Sequence, residues 1–397
     1  MSGKALQKYL EEGLDNLENK HYLNQICVFN SGNSPILEVQ GKYLINLAST
    51  NYLGLSCNQR VIEASIKATE KYGAGVGSTR RIGGTLEIHE ELEKKLAALI
   101  QAEEVITFQS AYNCNIGTIS ALLDKNDAIL TDEYNHSSIL DGAIISGATI
   151  IKYEHSNIKD LRHKAKLAKE SGIYNKIMVI TDGIFSVNGD IAKLQDIIDI
   201  AEEFELISYV DDAHAIGVIG QNGSGSSTHH DLVGKIDIQI GTLSKAIGVV
   251  GGYVAGSREL INWIKLKANP FLFSSSMTPG AVGACIESIN ILNENTELID
   301  RLWHNGRYLK RELKKLGFDI GKSETPITPC IFGDTELAEK FSEALFENGV
   351  YARVLNFSNL ELASNRIRNM PSAIHSEEML REAINVYANV GKQLGII

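Results

Sequence analysis

Hydrophobic positions follow two different periods along this chain. Short, nearly continuous apolar runs such as EVITF, AILTD, KIMVIT and IDIQIGT are typical of strands that a parallel sheet buries on both faces. Between them, stretches such as LEIHEELEKKLAALI and LQDIIDIAEEFE place apolar residues at helical spacing. The alternation of the two patterns predicts βαβ units, and therefore an α/β fold with a mainly parallel central sheet.

The two ends of the chain carry other patterns. Apolar residues at helical spacing over residues 4–21 predict an amphipathic N-terminal helix, and ILEVQGKYLINL predicts a short hairpin. Towards the C-terminus, a long amphipathic helix, a strand at VYARVLNF and a last helix from Glu377 predict a smaller α+β domain. We therefore expect an N-terminal helix and hairpin over residues 1–45, a large domain over 46–290 and a small C-terminal domain over 291–397.

Composition narrows the class of protein. The chain has 397 residues, of which 44% are hydrophobic and 22% are charged, as in ordinary globular proteins. The net charge of −11 argues against nucleic-acid binding, which needs clustered Lys and Arg. The five cysteines are widely spaced and include no CxxC pair, so we expect neither disulfides nor a metal site. A charged N-terminus without a long apolar run predicts a cytoplasmic protein that makes no membrane contact.

One lysine stands at the end of a predicted strand. Lys245 follows IDIQIGT within the segment GTLSKAIGVVGGYVAGS. Ligands of open α/β sheets bind beyond the carboxyl ends of the strands, and this segment does not match the GxxxxGK[ST] phosphate loop. Lys245 is therefore either a surface charge or a lysine that forms a Schiff base with an aldehyde cofactor.

Other predicted strands also end in polar residues. Asp211 closes one strand and His214 follows it, while Asp182 closes another. His136 follows a further strand, and Ser110–Tyr112 open a helix whose backbone N–H groups suit a phosphate. Each segment alone is equally well explained as a turn or a helix cap. Together they would place an amine, carboxylates, two imidazoles and a phosphate site along one edge of the sheet.

These segments resemble the α-oxoamine synthases, a family of pyridoxal-phosphate (PLP) enzymes of the aspartate aminotransferase fold type. The resemblance covers nearly the whole chain and rests on LASTNYLGL, YGAGVGSTRRIGGTLEIHEELE, DEYNHSSILDG, TDGIFSVNGDIAKL, VDDAHAIGV, GTLSKAIG and RIRNMPSAIHS. It implies PLP as the cofactor and a fold-type I architecture, with a large PLP-binding domain and a small C-terminal domain. It also implies a homodimer whose active sites are shared between the subunits.

The resemblance also implies a role for individual residues. Lys245 matches the lysine that holds PLP as a Schiff base, and Asp211 matches the carboxylate at the pyridine nitrogen. His214 matches the group near the phenolic oxygen of PLP, and His136 the imidazole stacked on its ring. The other matched positions are Ser110, Ala111, Tyr112 and Thr242 at the phosphate, Ser274 and Ser275 reaching the phosphate from the neighbouring subunit, Ser186 beside the Schiff base, and Asn51 and Arg368 at the amino-acid carboxylate.

Within the family, GTLSKAIGVVGGYVAG and RNMPSAIHS favour the glycine C-acetyltransferase branch. That branch implies the condensation of glycine with acetyl-CoA to give 2-amino-3-oxobutanoate, a step of threonine breakdown. The alternatives are the 8-amino-7-oxononanoate synthase branch, with alanine, a longer acyl donor and loss of carbon dioxide, and a PLP-binding relative without catalysis. The loop over residues 356–365 lacks the prolines and glycine that relatives carry there, which leaves the acyl donor open.

Overall fold

The computed structural model describes residues 4–19, 26–355 and 365–397. Its strands are β1 (Ile36–Val39), β2 (Lys42–Asn46), β3 (Glu104–Phe108), β4 (Ala128–Asp132), β5 (Thr149–Tyr153), β6 (Ile177–Asp182), β7 (Ile207–Asp211), β8 (Ile238–Thr242), β9 (Gly252–Gly256), β10 (Thr328–Ile331), β11 (Val350–Tyr351) and β12 (Arg366–Asn369).

The helices separate these strands for most of the chain. They are α1 (Lys4–Asn19), α2 (Gln59–Tyr72), α3 (Glu87–Ile100), α4 (Ala111–Leu122), α5 (Ser137–Ser146), α6 (Ile158–Ser171), α7 (Leu194–Phe204), α8 (Ser226–His229), α9 (Arg258–Lys267), α10 (Asn269–Phe273), α11 (Pro279–Glu294), α12 (Glu297–Leu316), α13 (Thr335–Glu347) and α14 (Glu377–Gln393). None of the helices in these described ranges is long and apolar enough to cross a membrane.

Two compact units make up the chain. One comprises Met1–Ser49, Asn305–Pro371 and His375–Ile397, and the other comprises Thr50–His304 and Ser372–Ile374. This grouping differs from the expected boundaries, since the N-terminal residues join the C-terminal segments instead of standing apart. The reason is that β2 pairs in parallel with β11 and thereby adds the N-terminal hairpin to a C-terminal strand.

The larger unit is built around a seven-stranded sheet with the order β3-β9-β8-β7-β6-β4-β5. The pairs from β8 to β5 are parallel, whereas β9 runs antiparallel to both of its neighbours, β3 and β8. The predicted mainly parallel α/β sheet is confirmed. The strand β9 is an addition, because the segment GGYVAG gives no apolar run from which to predict it.

Alternate strand residues face two different layers of helices. Ile180 and Tyr209 belong to the apolar core on one face of the sheet, together with Cys114 and Ile119 from α4. Leu130 and Val179 belong to the core on the other face, with residues of α6 and α7. Because side chains alternate along a strand, neighbouring residues at each strand end point to opposite layers.

The smaller unit holds the predicted N-terminal hairpin. Strands β1 and β2 pair antiparallel, and their turn places Gln40 and Gly41 at positive φ. Strands β10 and β12 form a separate antiparallel pair. Its core brings together Leu309 of α12, Phe341 of α13 and Tyr387 of α14, all fully buried. Of the predicted strand VYARVLNF, only Val350–Tyr351 forms a strand, and its last two residues lie outside the described ranges.

Candidate active site

The carboxyl edge of the large sheet collects the residues that the sequence singles out. Strand β6 ends at Asp182, β7 at Asp211 and β8 at Thr242, and these ends lie side by side because the strands are parallel neighbours. Asp182 and Asp211 stand opposite each other in the register. Their side chains therefore share the face that carries the core residues Ile180 and Tyr209.

Asp211 is held at this edge by hydrogen bonds to its side chain. Asn115 Nδ2 donates to Asp211 Oδ2 at 2.7 Å, and the backbone N–H of Ala213 donates to Oδ1 at 2.9 Å. The carboxyl is 3% exposed. These two donors hold the Asp211 side chain in a place from which water is nearly excluded.

Asn115 connects Asp211 to the rest of the site. This fully buried residue of α4 also donates to Ser138 Oγ at 2.8 Å, and its oxygen accepts from the Tyr209 hydroxyl at 2.5 Å. Ser138 Oγ in turn lies 2.7 Å from His136 Nδ1. A single amide therefore joins the carboxylate to the histidine-bearing start of α5. Asn115 was not predicted from the sequence, where its signal is a polar residue on the apolar face of a helix.

Asp182 forms a second carboxyl beside Asp211. It is buried, and the backbone N–H of His136 donates to it. Burial and the neighbouring charge of Asp211 raise its pKa well above the usual value, although Lys245 acts in the opposite direction. Within the described residues, Asp182 Oδ1 accepts no hydrogen bond. An unsatisfied buried oxygen beside a carboxylate and an amine is consistent with a polar ligand at this place.

Asp212, next in sequence, points to the other layer of the structure. Its Oδ2 accepts from the backbone N–H of Ser226 at 2.8 Å, and burial raises its pKa to about 6 against the effect of the Ser226 hydrogen bonds. The adjacent acids therefore have different surroundings. Asp211 faces the candidate site, whereas Asp212 holds the short helix α8 against the sheet.

His214 lies a short distance beyond Asp211, in the loop that follows β7. Its Nδ1 is hydrogen-bonded to the Tyr52 hydroxyl at 2.8 Å, and the two rings meet edge to face with centroids 6.1 Å apart. Both residues are buried. The tyrosine fixes the orientation of the imidazole, and the sequence analysis did not assign it a role.

Lys245 lies in the turn between β8 and the antiparallel strand β9 and is half-buried. The turn is closed by backbone hydrogen bonds from Leu243 to Gly251 and from Val249 to Leu243, each 2.9 Å long. Gly248 has φ +79° and approaches residue 56 so closely that an added Cβ would lie 2.5 Å from its backbone nitrogen. These constraints fix the backbone on both sides of the lysine.

The start of α4 offers the predicted phosphate site. Ser110 caps the helix by accepting from the Asn113 backbone N–H at 3.1 Å, which leaves the first helical N–H groups at the sheet edge. Strand β9 passes close by, since a Cβ on Gly252 would lie 2.4 Å from the Ala111 nitrogen. Tyr112 is exposed, and its hydroxyl donates to Asp141. Thr242 ends β8, and its Oγ1 lies 2.8 Å from Oγ of Ser244 in the turn that follows.

The remaining predicted residues come from different segments of the chain, and each has its own neighbours. Asn51 is buried and donates to Ser56 Oγ at 2.7 Å, and Ser186 is half-buried in the loop after β6. Ser274 caps the end of α10 and Ser275 forms a bridge with residue 79. Arg368 lies in β12 of the smaller unit, half-buried on the same face as residue 366.

A cavity of about 420 Å³ lies elsewhere, at the amino-terminal ends of the strands. Its lining includes Glu103 and Asp237 but no lysine or histidine. Asp237 already accepts hydrogen bonds from the backbone and hydroxyl groups of Ser208, both at 2.8 Å. The cavity lining has carboxylates but lacks the amine and the imidazoles found at the carboxyl edge, so we assign the candidate site to that edge.

Comparison with known proteins decides the family. The family model for class I and II aminotransferases matches residues 42–386. The chain is 49% identical to an 8-amino-7-oxononanoate synthase of Thermoanaerobacter pseudethanolicus over 98% of both chains, and 44% identical to one of Treponema denticola over 100% of both. The chain belongs to the α-oxoamine synthase branch of this aminotransferase family.

Solved structures of α-oxoamine synthases share this fold. A serine palmitoyltransferase from S. paucimobilis with bound PLP–myriocin is 29% identical with a TM-score of 0.91, and covers 100% of both chains. The serine palmitoyltransferase of Sphingomonas wittichii is 27% identical with a TM-score of 0.90, over 99% of both chains. The predicted fold type and PLP as the cofactor are thereby confirmed.

The predicted glycine C-acetyltransferase activity is wrong. Four curated relatives, 43–49% identical over nearly the whole chain, are 8-amino-7-oxononanoate synthases, the branch given above as the alternative. Glycine, acetyl-CoA and threonine breakdown therefore lose their support. The error has a physical reason. The segments used for that choice surround Lys245 and Arg368, which the resemblance assigns to the cofactor and to the amino acid, so they carry no information about the acyl chain.

The residues at the carboxyl edge fit PLP. A half-buried amine, a carboxylate held by two donors and a helix N-terminus match an aldehyde, a pyridine nitrogen and a phosphate respectively. The close approach of Gly252 to α4 keeps side-chain atoms away from the first helical N–H groups. The free Oδ1 of Asp182 adds a polar atom that no other described residue satisfies.

Proposed function

We propose that this protein makes 8-amino-7-oxononanoate from alanine and the thioester of a seven-carbon dicarboxylic acid. The observation that carries the proposal is the identity of 43–49% to four synthases of that name, over 98–100% of this chain. The α-oxoamine synthase fold and the PLP-type site at the sheet edge support the same class of reaction.

The structure of the product defines the substrates. Its ketone and amine stand on adjacent carbons, so the new bond joins the acyl carbon of the thioester to the α-carbon of an amino acid. Beyond the amine-bearing carbon only a methyl group remains, which is the side chain of alanine. The alanine carboxylate must leave as carbon dioxide, and the thiol of the acyl donor leaves as the second product. The other end of the product keeps a free carboxylate from the dicarboxylic acid.

The residues of the site suit the first half of this reaction. PLP, when bound, withdraws electrons from the α-carbon of an attached amino acid. Lys245 would hold the cofactor covalently and, once released, take the proton from that α-carbon. Asp211 would keep a proton on the ring nitrogen, because a neighbouring carboxylate favours the charged form of that nitrogen.

Other residues would bind and orient the cofactor and the amino acid. The α4 N-terminus with Ser110, Ala111, Tyr112 and Thr242 would take the phosphate, and Ser274 and Ser275 would reach it from a second subunit of a homodimer. His136 would stack on the ring, and His214, oriented by Tyr52, would contact its phenolic oxygen. Ser186, Asn51 and Arg368 would lie at the amino-acid end, where a guanidinium suits a carboxylate.

The test is a product assay with a matrix of substrates. The PLP-loaded enzyme is given alanine, glycine or serine with a pimeloyl, acetyl or palmitoyl thioester, and products are identified by mass spectrometry. We expect alanine and the pimeloyl thioester to react at least ten times faster than any other pair, with release of one carbon dioxide per product. A preference for glycine with the acetyl donor, or serine with the palmitoyl donor, would refute the proposal.

A Lys245→Ala variant is the control for the chemistry. It removes the amine, so we expect loss of both product formation and the visible absorbance of covalently held PLP. Product formation by this variant at the wild-type rate would show that the lysine has another role. Because the absorbance does not depend on the acyl donor, the cofactor assignment is tested independently of the substrate.

A further inference from the structure

A half-buried histidine links two loops behind the candidate site. His155 follows β5 and lies between two carboxylates that come from different parts of the chain. Its Nδ1 is 2.9 Å from Asp132 Oδ1, and its Nε2 is 2.9 Å from Asp190 Oδ2. The histidine side chain is only 16% exposed. The imidazole therefore uses both of its nitrogens to join the end of β4 to the loop after β6.

Aromatic rings hold this imidazole in place. The ring of Tyr134 stacks on it with centroids 4.3 Å apart, and the ring of Phe185 meets it edge-on at 4.5 Å. Each aromatic residue comes from one of the two loops that the histidine joins. The orientation of the imidazole is therefore fixed by packing as well as by hydrogen bonds.

The first of these loops carries His136. Asp132 accepts from the backbone N–H groups of Tyr134 and Ser156, both at 2.9 Å, so the carboxylate that binds His155 also shapes the loop. Asn135, one residue before His136, donates to the carbonyl of Ile180 at 2.9 Å. A shift of Asp132 would therefore pass directly to the start of α5.

The second loop carries Ser186. Its backbone closes on itself, with Phe185 N–H donating to the Asp190 carbonyl at 3.0 Å and Gly189 N–H to the Phe185 carbonyl at 2.8 Å. A bridge between Ile184 and residue 191 ends the loop. Asp190 thus stands at the base of the loop, where its side chain meets His155.

We propose that His155, as an imidazolium that donates to Asp132 and Asp190 at once, is a positioning residue that locks the His136 and Ser186 loops together at the PLP edge. The inference rests on the proposed roles of His136 and Ser186 in the function above. No group of three or more His, Cys, Asp or Glu side chains in the described ranges could hold a metal ion, so a metal centre does not explain the cluster.

The proposal requires a charged imidazole, because a neutral ring has one N–H and can donate to only one of two carboxylates. Burial lowers the pKa of His155, but the hydrogen bonds to Asp132 and Asp190 outweigh it and raise the pKa to about 9. Of the other charged groups, Glu133 accepts from the His155 backbone N–H, and Lys193 donates to the neighbouring carbonyl of residue 156. The net surroundings are acidic and favour the imidazolium.

The sign of the pH dependence follows from the raised pKa. The stabilisation is complete below the unfolded-state value of 6.5 and is lost as the pH rises through about 9. We therefore expect the lock to hold at neutral pH and to open under alkaline conditions. The raised pKa of His155 makes the histidine the group of this cluster from which we expect the alkaline transition to arise.

The experiment compares His155→Gln with a matched control, His163→Gln, in the PLP-loaded enzyme. His163 lies on α6 a few residues away and is exposed. Hydrogen exchange followed by mass spectrometry should show about 10- to 100-fold faster exchange over residues 133–137 and 184–190 in His155→Gln, from the loss of charged hydrogen bonds, and no change in the control. Unchanged exchange over both segments would overturn the proposal.

A second readout separates positioning from mere stability. The wild-type kcat should fall as the pH passes about 9, and the His155→Gln variant should have a low kcat without this step, with KM little changed. Faster exchange with an unaltered kcat and pH profile would overturn the positioning role. Exchange needs no substrate, so an error in the proposed reaction leaves the first readout intact.

A milder variant keeps the proposal testable if the His155→Gln protein does not fold. Asp190→Asn removes one carboxylate but leaves the ion pair between His155 and Asp132, so it should loosen residues 184–190 alone. Loosening of both segments, or of neither, in this variant would contradict a lock made of two separate contacts. His155→Gln tests the centre of the cluster, Asp190→Asn tests one of its two hydrogen bonds, and His163→Gln tests a position outside it.

Discussion

The buried amide of Asn115 offers the sharpest test of how the site is held. Replacing Asn115 by Ala removes three hydrogen bonds at once: those to Asp211, Ser138 and Tyr209. The Asp211 carboxylate keeps only its backbone donor, and the Tyr209 hydroxyl loses its acceptor in a fully buried place. No water-exposed surface is available to replace the lost partners.

The size of the effect can be worked out from these contacts. A hydrogen bond to a charged group contributes about 1.5–3 kcal/mol, and an unsatisfied buried hydroxyl costs about 1–3 kcal/mol. Their sum is roughly 2.5–6 kcal/mol, a large part of the 5–15 kcal/mol by which typical proteins are stable. For a unit of about 250 residues this corresponds to a fall in melting temperature of roughly 5–24 °C.

The assay is urea and thermal unfolding of the cofactor-free protein, followed by PLP titration of the variant. Asn126→Ala is the matched control, since the Asn126 side chain is exposed and donates locally, to Asp124 Oδ1 at 3.0 Å. We expect the control to stay within about 0.5 kcal/mol of the wild type. A loss below about 1 kcal/mol in Asn115→Ala, with unchanged PLP affinity, would refute the view that this amide holds the site.

Two further changes test neighbouring parts of the site. Gly252→Ala would place a Cβ 2.4 Å from the Ala111 nitrogen, so we expect PLP affinity to fall at least tenfold and stability to fall by about 1–3 kcal/mol; wild-type affinity in a PLP titration would contradict this close approach. The raised pKa of Asp182 means that the folded protein binds a proton which the unfolded chain has released, so wild-type stability should fall as the pH rises above about 4. Asp182→Asn mimics the neutral acid and should lack that fall in urea unfolding between pH 4 and 9, whereas parallel pH profiles would show that Asp182 is ionised.

The parallel sheet could be predicted from sequence because its signal is local. Each buried strand is a short apolar run, and polar caps such as Ser376 before α14 fix where helices begin. Strand β9 was not predicted, because the glycines at both of its ends interrupt the apolar pattern. Those glycines are needed for contact, since Gly252 packs on the start of α4 and Gly256 on the backbone of residue 237.

The site could be predicted only where residues follow strand ends. Lys245, Asp211 and His214 were singled out this way, because the carboxyl edge of a parallel sheet is where ligands bind, and their roles there stay predictions. Asn115 and His155 were missed because their roles depend on partners far away in sequence: Asn115 contacts a residue 96 positions later, and His155 a residue 35 positions later. Neither pairing leaves a spacing that a single sequence reveals.

The acyl donor could not be predicted for a different reason. The motifs that identify the family surround the cofactor, and every branch needs the same amine, carboxylate and phosphate contacts whichever acyl chain it uses. The loop over residues 356–365, which contains no proline or glycine, falls almost wholly outside the described ranges. Whole-chain similarity favours the 8-amino-7-oxononanoate synthase branch over the branch that the motifs had favoured.

The alternation of side chains along each strand explains why the site and its supports come in adjacent pairs. Asp211 faces the PLP edge while Asp212 bonds to Ser226 in the opposite layer. Strand β4 ends in the same way, with Asp132 facing the layer of α6 and α7, where it meets His155. A shift of one residue in either strand would exchange the two faces. In β7 it would turn the Asp212 side chain towards the candidate site and the Asp211 side chain into the opposite layer. The register of the sheet therefore decides which carboxyl group reaches the candidate site, and we expect substitutions in the opposite layer to alter PLP binding without contacting PLP.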